Sequence, residues 1–423
     1  MLLFWVSLVM PMAGALEFQY HNTTQVEQYL QEINKNYPSI THLHSIGQSV
    51  EAVAVNVSGL PKDSCNPIFR TDPVVGRVLL LQLIDYMTRN YMSDPFITQL
   101  MKTTRIHIMP SMNPDGFESS GRDCMYSQGR FNKNGVDLNR NFPDVFVNND
   151  VEVREIEVKA VMKWLETEPF VLSANLHGGA LVASYAYDNS NGGSELQGGS
   201  SITPDDDVFV QLAKTYSFNH ASMQHENKCS DSREFTDGII NGYGWYKLEG
   251  GMQDYNYVWA QCLEITLEVS CCKFPPESEL PDLWDANKPA LLAYMQQVHL
   301  GVKGQVFDLN GAPVQNALVE VEGRKNFCPF KTNSNGEYYR LLLPGTYTIT
   351  VRHPEYEPLT ETVSVPYGPD TFSALTHNFR FLNSASTTAT NTTCLLPDVN
   401  YSDVLLPDTL TALSTFILYT LLL

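Results

Sequence analysis

A histidine followed by two glycines ends an apolar segment near the middle of the chain. Residues 170–172 read FVL after Pro169, and His177 precedes Gly178 and Gly179. An apolar run that ends in glycines indicates a buried strand and a turn. Ligands bind beyond the carboxyl ends of strands in open α/β sheets, so a metal could be held at this position. Taken alone, the histidine is better explained as a core residue than as a ligand.

Two glutamates stand four residues apart in a second apolar segment, residues 263–269, which read LEITLEV. Because side chains alternate along a strand, Glu264 and Glu268 share one face. A carboxylate on a buried strand requires a reason, either general-base chemistry or a buried ion pair. The residues alone leave both explanations open.

A predicted loop at residues 137–142, DLNRNF, carries Asn139 and Arg140. Arginine suits two-point capture of a carboxylate, and asparagine can add a directed hydrogen bond. Loops of this composition are also common in proteins where they have only a structural role. The aromatic stretch at residues 243–246 lies close to the glycines at residues 250–251 and predicts either a flap or a packed turn.

Helical and strand patterns alternate over about 280 residues, which predicts one large α/β domain with a mostly parallel or mixed sheet. A capping box at residues 24–27, TQVE, predicts the start of the first helix. Pro204 predicts the first position of a later helix. The last helix is predicted around residues 291–298.

The pattern changes after Leu300 to short alternating strands with turns between them. Such a pattern over about 80 residues predicts a small β-sandwich. A Ser/Thr/Ala-rich stretch at residues 384–393 follows and is typical of a stalk.

The composition supports a large packed core, since 43% of the 423 residues are hydrophobic and 17% are charged. The net charge of −20 argues against nucleic acid as a partner, because phosphate binding needs clustered Lys and Arg. An acidic surface could attract basic substrates, although it more often serves solubility.

Both ends of the chain carry processing signals. Residues 1–15 have an apolar centre and small closing residues, as in a secretory signal peptide. Residues 410–423 are apolar and uncharged, and we favour a cleaved lipid-anchor signal over a short membrane span. These signals predict passage through the secretory pathway to the extracellular face of the plasma membrane. Sequons for N-glycosylation stand at Asn22, Asn56, Asn391 and Asn400.

Five motifs, in order, resemble the regulatory (N/E-type) branch of the zinc metallocarboxypeptidases. They are MNPDG at 112–116, DLNRNFPD at 137–144, NLHGG at 175–179, GGMQDY at 250–255 and EITLE at 264–268. The resemblance implies a carboxypeptidase-like α/β fold, with a mixed eight-strand-type sheet flanked by helices. It also implies that the all-β segment is the branch's transthyretin-like β-sandwich.

The resemblance divides the chain into five parts. They are a signal peptide at 1–15, a catalytic domain at 16–299, a β-sandwich at 300–380, a stalk at 381–409 and an anchor signal at 410–423. The implied activity is removal of C-terminal Lys or Arg from peptides by a zinc enzyme that a lipid anchor holds on the membrane.

The same resemblance implies roles at the reacting bond. His177 would bind Zn²⁺, and Glu268 would be the general base that activates water and passes its proton to the leaving amine. Arg130 would stabilise the developing oxyanion.

Five further positions match the branch's substrate-binding residues. Asn139 and Arg140 would hold the terminal carboxylate of the substrate, and Tyr246 would close over the bound residue. Asp188 and Gln253 would form a pocket for a C-terminal Lys or Arg.

The chain departs from the pattern at the first zinc-binding motif, a His-x-x-Glu loop. Alignment on residues 75–77, VGR, brings Arg70 to the histidine position and Pro73 to the glutamate position. A catalytic zinc needs three protein ligands, and a positive charge at Arg70 would further disfavour a cation. Residues 52–69 do not resemble the branch, and we interpret them as a replaced segment, from splicing or from an error in the coding sequence.

The departure leaves three functional readings open. The chain could be the enzyme that its resemblance implies, or a zinc-free pseudo-enzyme that binds peptide C-termini without cleavage. A third reading is an extracellular scaffold that acts through the β-sandwich. By resemblance, the expected disulfides are Cys124–Cys272, Cys229–Cys271 and Cys328–Cys394, which leaves Cys262 as a buried thiol and Cys65 without a match.

Overall fold

A computed structural model describes residues 15–51, 54–59, 66–71, 74–121, 124, 128–149, 154–225, 229, 234–385 and 394. The predicted anchor signal, nearly all of the predicted signal peptide, and Cys65 lie outside this part of the chain. None of the helices found within it is both long enough and apolar enough to cross a bilayer.

The helices of the described residues are α1 Thr23–Asn36, α2 Val74–Asn90, α3 Pro95–Thr103, α4 Pro114–Glu118, α5 Ile156–Thr167, α6 Asp206–Asn219, α7 Gly242–Trp245, α8 Met252–Val258 and α9 Leu280–Gln296. The strands of the first domain are β1 His42–Gln48, β2 Ala54–Gly59, β3 Asn66–Thr71, β4 His107–Met109, β5 Phe170–His177, β6 Ala180–Tyr185, β7 Leu196–Gln197, β8 Ser200–Ser201, β9 Ile239–Asn241 and β10 Leu263–Ser270. The strands of the second are β11 Val302–Phe307, β12 Leu318–Val321, β13 Glu337–Arg340, β14 Gly345–His353, β15 Tyr356–Val365, β16 Leu375–Thr376 and β17 Phe379–Arg380.

The first domain is built on an eight-stranded mixed sheet in the order β1-β2-β4-β3-β5-β10-β6-β9. The central strands β4, β3, β5 and β10 run parallel, whereas β1 with β2, β2 with β4 and β10 with β6 are antiparallel. All eight residues of β5 are buried, as expected for a parallel strand covered on both faces. The predicted α/β class with a mixed eight-stranded sheet is confirmed.

Helices cover both faces of this sheet and bury two separate apolar cores. One core contains side chains of α2, α6 and α9. The other contains side chains of α5 and α8. The central strands of the sheet are therefore enclosed, whereas the edge strand β1 is partly exposed along its length.

Three local predictions of helix boundaries need correction. The capping box uses Asn22 and Gln25, since each side chain bonds the other's backbone N–H at 2.9 Å, and α1 begins at Thr23. Pro204 precedes α6, whose N-cap is Asp205 and whose first residue is Asp206; the Asp205 carboxylate makes no capping hydrogen bond and is bound by Arg324 of the second domain instead. The last helix begins at Leu280, well before the predicted segment, because its first turns also pack on the core.

The second domain is a β-sandwich. One sheet has the order β13-β11-β16, with β17 also on β11, and the other has the order β12-β14-β15. Their inner faces enclose an apolar core that includes Val306, Val319 and Phe379. The predicted sandwich is confirmed.

A buried ion-pair network joins the sandwich to the first domain. Asp205 is 1% exposed and accepts hydrogen bonds from Arg324 at 2.9 Å and from Arg340 at 3.3 Å. Tyr257 and Asn326 also donate to it, at 2.7 and 2.9 Å. Burial opposes ionisation, but the two arginines outweigh it and hold the pKa of Asp205 below its usual value.

The three expected disulfides are present. Cys124 is bonded to Cys272, Cys229 to Cys271 and Cys328 to Cys394. Cys262 is buried and takes no part in a disulfide, as predicted. The adjacent cysteines at the end of β10 thus reach outward to two different segments.

Candidate functional site

The ends of three adjacent strands meet at one edge of the mixed sheet. β5 ends at His177, and β10 runs parallel to it with Glu268 opposite that histidine. A Glu268 carboxylate oxygen lies 4.0 Å from Nδ1 of His177. On the other side of β5, the backbone of β3 pairs Arg70 with Asn175 and Thr71 with Leu176. The strand ends are therefore close together, as the sequence predicts.

A cavity of about 240 Å³ opens at this edge. It brings together most of the predicted site residues, namely His177, Glu268, Arg130, Asn139, Arg140, Tyr246 and Asp188. Gln253 lies behind the wall, and its amide donates a 2.8 Å hydrogen bond to Asp188. The structure thus gathers all the predicted residues within one site.

Glu268 is a buried carboxylate at the end of the cavity next to His177. Its burial raises its pKa to about 7, although Lys273 and Arg130 partly oppose this shift. Its Oε2 atom is buried and accepts no hydrogen bond from the described residues. A carboxylate of this pKa can take up and release a proton near neutral pH.

Glu264 has a different environment, although it faces the same side of β10. It is completely buried, and Ser173 and Asn256 donate hydrogen bonds of 2.6 and 2.7 Å to its Oε2. It does not line the cavity. These neutral donors give Glu264 a structural reason to be buried, which neither sequence-based explanation included.

The two cavity arginines are held by short local contacts. Arg130 donates from Nε to Asp137 at 2.8 Å, and its guanidinium lies 3.5 Å from Nδ1 of His177. Arg140 ends a 3₁₀ turn, Leu138–Arg140, whose start is capped by Asp137. Its guanidinium donates to the carbonyl of Asn139 at 2.8 Å. Asn139 in turn accepts from the backbone of Met252 at 3.0 Å, which ties the loop to α8.

Asp188 supplies a buried acid beside Arg140. Burial raises its pKa to about 7, and nearby Glu264 and Asp144 add to the rise while Arg140 lowers it. Its position depends on Gly242, because a Cβ at that residue would lie 1.8 Å from an Asp188 carboxylate oxygen. An acid with this environment suits a cationic ligand group that restores its charge.

Tyr246 stands at the mouth of the cavity, where its side chain is 46% exposed. It follows α7 directly, and its ring packs on Trp245 with centroids 5.0 Å apart. The aromatic stretch therefore combines a packed side, Trp245, with an exposed tyrosine beside the opening.

Lys273 also lines the cavity, and sequence reasoning did not identify it. It follows the disulfide-bonded Cys271 and Cys272 and comes five residues after Glu268. A lysine in this position forms no recognisable chemical pattern, so its proximity to the site is visible only in the fold.

Comparisons with known proteins agree with this geometry. The family profile described as Zinc carboxypeptidase matches residues 26–290, and the profile described as Carboxypeptidase regulatory-like domain matches residues 301–376. The crystal structure of thrombin activatable fibrinolysis inhibitor has a TM-score of 0.53 at 19% identity over 66% of this chain and 75% of that chain, which shows the fold.

Similar curated relatives cover most of the chain. Carboxypeptidase M of Mus musculus is 52% identical over 387 residues, 89% of this chain and 87% of the relative. The Carboxypeptidase N catalytic chain of Homo sapiens is 40% identical over 86% of each chain. Carboxypeptidase D of Mus musculus is 43% identical, and the match covers 82% of this chain but 26% of that protein. The chain therefore belongs to the zinc carboxypeptidase family, in its regulatory-type branch, and is an enzyme by that resemblance.

Proposed function

We propose that this protein acts on peptides that end in Lys or Arg. The observation that carries the proposal is the buried acid Asp188, which shares one small cavity with Arg140 and Glu268. A C-terminal basic residue presents a cation and a carboxylate, and the cavity offers an acid and an arginine side by side. The matching charges would orient that residue in one direction only.

The remaining roles follow from this orientation. Arg140 and Asn139 hold the terminal carboxylate, and Asp188 with Gln253 holds the basic side chain. The peptide bond to the preceding residue then lies towards Glu268, whose carboxylate would take a proton from water and give it to the leaving amine. Arg130 would stabilise negative charge on the carbonyl oxygen, and Tyr246 would cover the bound residue.

The family implies zinc, but the donor set of this chain does not fit a catalytic zinc site. His177 supplies one ligand, whereas residues 70 and 73 are arginine and proline, which offer no suitable donor atom. Three protein ligands are needed. We therefore derive no catalytic step through a metal.

This mismatch supports a second candidate function, the binding of peptide C-termini without cleavage. The residues proposed to bind the peptide do not depend on positions 70 and 73. Arg140, Asp188 and Gln253 belong to other elements and are held by their own contacts. Recognition can therefore persist where metal chemistry has been lost.

One experiment separates the two candidates. Purified protein is assayed for zinc content and for cleavage of a dansylated peptide with C-terminal Arg, with and without a chelator, and its affinity for the peptide is measured by calorimetry. Stoichiometric zinc with chelator-sensitive cleavage would contradict the pseudo-enzyme. Binding without zinc or turnover would contradict the enzyme, and absence of binding would contradict both.

We also propose that the protein is carried to the extracellular face of the plasma membrane by a lipid anchor. The support is the apolar, uncharged segment at residues 410–423 behind a Ser/Thr-rich stretch. Treatment of expressing cells with a phosphatidylinositol-specific phospholipase should release the protein, and full retention would contradict this anchor.

A further inference from the structure

Lys273 lines the cavity beside the glycine turn at residues 178–179. It lines the wall together with His177, Gly178 and Glu268. Its Cα lies 3.3 Å from where a Cβ of Gly178 would stand, and its Cε lies 2.8 Å from the corresponding position at Gly179. The aliphatic stem of the lysine therefore runs along the glycine turn that follows β5.

The backbone of Lys273 is fixed on both sides. Its N–H donates a 3.0 Å hydrogen bond to the carbonyl of Cys124. The two cysteines before it are bonded to Cys124 and Cys229. The side chain of Lys273 therefore starts from a fixed point at the cavity wall, which reduces the entropy lost when its ammonium binds a ligand.

Lys273 is partly buried as a residue, and its ammonium forms no ion pair with the described residues. Arg130 is bound to Asp137 at 2.8 Å. In contrast, no carboxylate of the described residues lies within 4.0 Å of the Lys273 nitrogen. Partial burial of a charge is costly unless a partner compensates it. A ligand carboxylate at this wall would supply that partner.

The charges along the cavity define a direction. The charge of Arg140 lowers the pKa of Asp188, whereas the charges of Lys273 and Arg130 lower the pKa of Glu268. If the C-terminal residue lies between Arg140 and Asp188, as the proposed function requires, the bond to be cut lies beside Glu268. The residue before it then lies beyond Glu268, on the side where the charges of Lys273 and Arg130 act.

We propose that Lys273 binds the side chain of an acidic residue that directly precedes the C-terminal Lys or Arg. The preferred ligands are thus peptides that end in Glu-Arg, Asp-Arg, Glu-Lys or Asp-Lys. This inference rests on the proposed function, because it takes the placement of the last residue from it.

The test compares two N-acetylated peptides that differ only in ending with Glu-Arg or Gln-Arg. We expect the wild-type protein to bind the Glu-Arg peptide about fivefold more tightly by calorimetry, as an ion pair that is partly open to water allows. Lys273→Gln should reduce this ratio to about one and leave the affinity for the Gln-Arg peptide within about twofold of the wild-type value.

Two further variants make the result specific. Lys163→Gln removes the same charge from the exposed face of α5, where the lysine pairs with Glu166, and should keep the full preference. Lys273→Arg retains a cation and should keep a preference for the acidic peptide.

Equal affinities of wild-type protein for the two peptides would overturn this inference alone. The same holds if Lys273→Gln keeps the preference. If neither peptide binds, the proposed function fails and the inference with it.

Discussion

Two regions at this edge of the sheet differ in how fully they match the family pattern: the cavity wall and the end of β3. The proposed recognition side, at the cavity wall, consists of Asn139, Arg140, Asp188 and Gln253, and each of these side chains is positioned by hydrogen bonds within the fold. The β3 end consists of residues 70 and 71 and lies beside β5, but residue 70 is an arginine where the family pattern has a histidine.

The difference shows that β3 can form and pair without the residues that a zinc site needs at its end. β3 keeps its place between β4 and β5, and its Ile68 and Phe69 are completely buried. A parallel strand needs apolar residues and backbone pairing, and neither depends on what stands at its end. A different residue at position 70 is therefore compatible with the fold and with the contacts that hold the cavity wall.

The strongest test of the recognition side is Arg140→Gln. We expect the affinity for a peptide with C-terminal Arg to fall about 100-fold, because a charge-assisted contact to a carboxylate is lost in a partly dry cavity. Calorimetry checks this loss, and Arg352→Gln on the exposed strand β14 is the charge-matched control. A C-terminally amidated peptide should bind wild-type protein as weakly as the acid binds the variant. Equal binding of amide and acid would contradict the role of Arg140.

Asp188→Asn tests the pocket for the basic side chain. We expect about a 30-fold loss of affinity for a C-terminal Arg peptide, because an amide cannot pair with the guanidinium. A peptide that ends in norleucine should be unaffected. Asp285→Asn removes an equal charge from an exposed site on α9 and serves as the control. If the Asp188→Asn variant still prefers Arg over norleucine, another group must recognise the basic side chain.

The affinity for the peptide should also depend on pH, with a smaller effect and a weaker affinity at low pH. The pKa of Asp188 is raised to about 7, so protonation removes the anion as the pH falls through that value. A bound guanidinium favours the ionised form of Asp188. The affinity should therefore fall by roughly tenfold as the pH is lowered from 7.5 to 6, and it should become constant above pH 7.5. Calorimetry across this range with an N-acetylated peptide measures it. The Asp188→Asn variant should lose most of this pH dependence. An unchanged pH profile in that variant would show that another group titrates.

The β3 end is tested by restoring the family residues with Arg70→His and Pro73→Glu. We expect no gain in zinc content or peptide cleavage. Residue 70 pairs with Asn175, two positions before His177 and about 6.6 Å short of it along the strand. Ligand nitrogens must lie about 2 Å from one zinc ion. Stoichiometric zinc and restored cleavage in this double variant would show that the replaced segment still presents the loop correctly.

Much of the architecture could be predicted from the sequence because it is encoded locally. The apolar run before His177 and the alternation around Glu268 specify strands, and their ends coincide in any open parallel sheet. The motif resemblance then supplied the partners, including the disulfides. The separation of Glu264 from Glu268 could not be predicted, since it depends on Asn256 and Ser173 from two other elements.

The errors have a common physical origin in tertiary contacts. Asp205 serves as the N-cap of α6, yet its carboxylate bonds to arginines more than 100 residues away, and local helix signals cannot show that. The position of Lys273 at the cavity could not be predicted for the same reason. Its stem and backbone are fixed by a glycine turn and a cysteine from other parts of the chain.

Gly242 has a consequence for how related chains should be compared. A single methyl group at this residue would collide with Asp188, so the acid is usable only because an atom is missing opposite it. The proposed selectivity for basic residues would therefore depend on two positions together, the acid at residue 188 and the glycine at residue 242. An alignment that tracks only the acid would assign the same preference to chains in which a side chain at residue 242 displaces that acid.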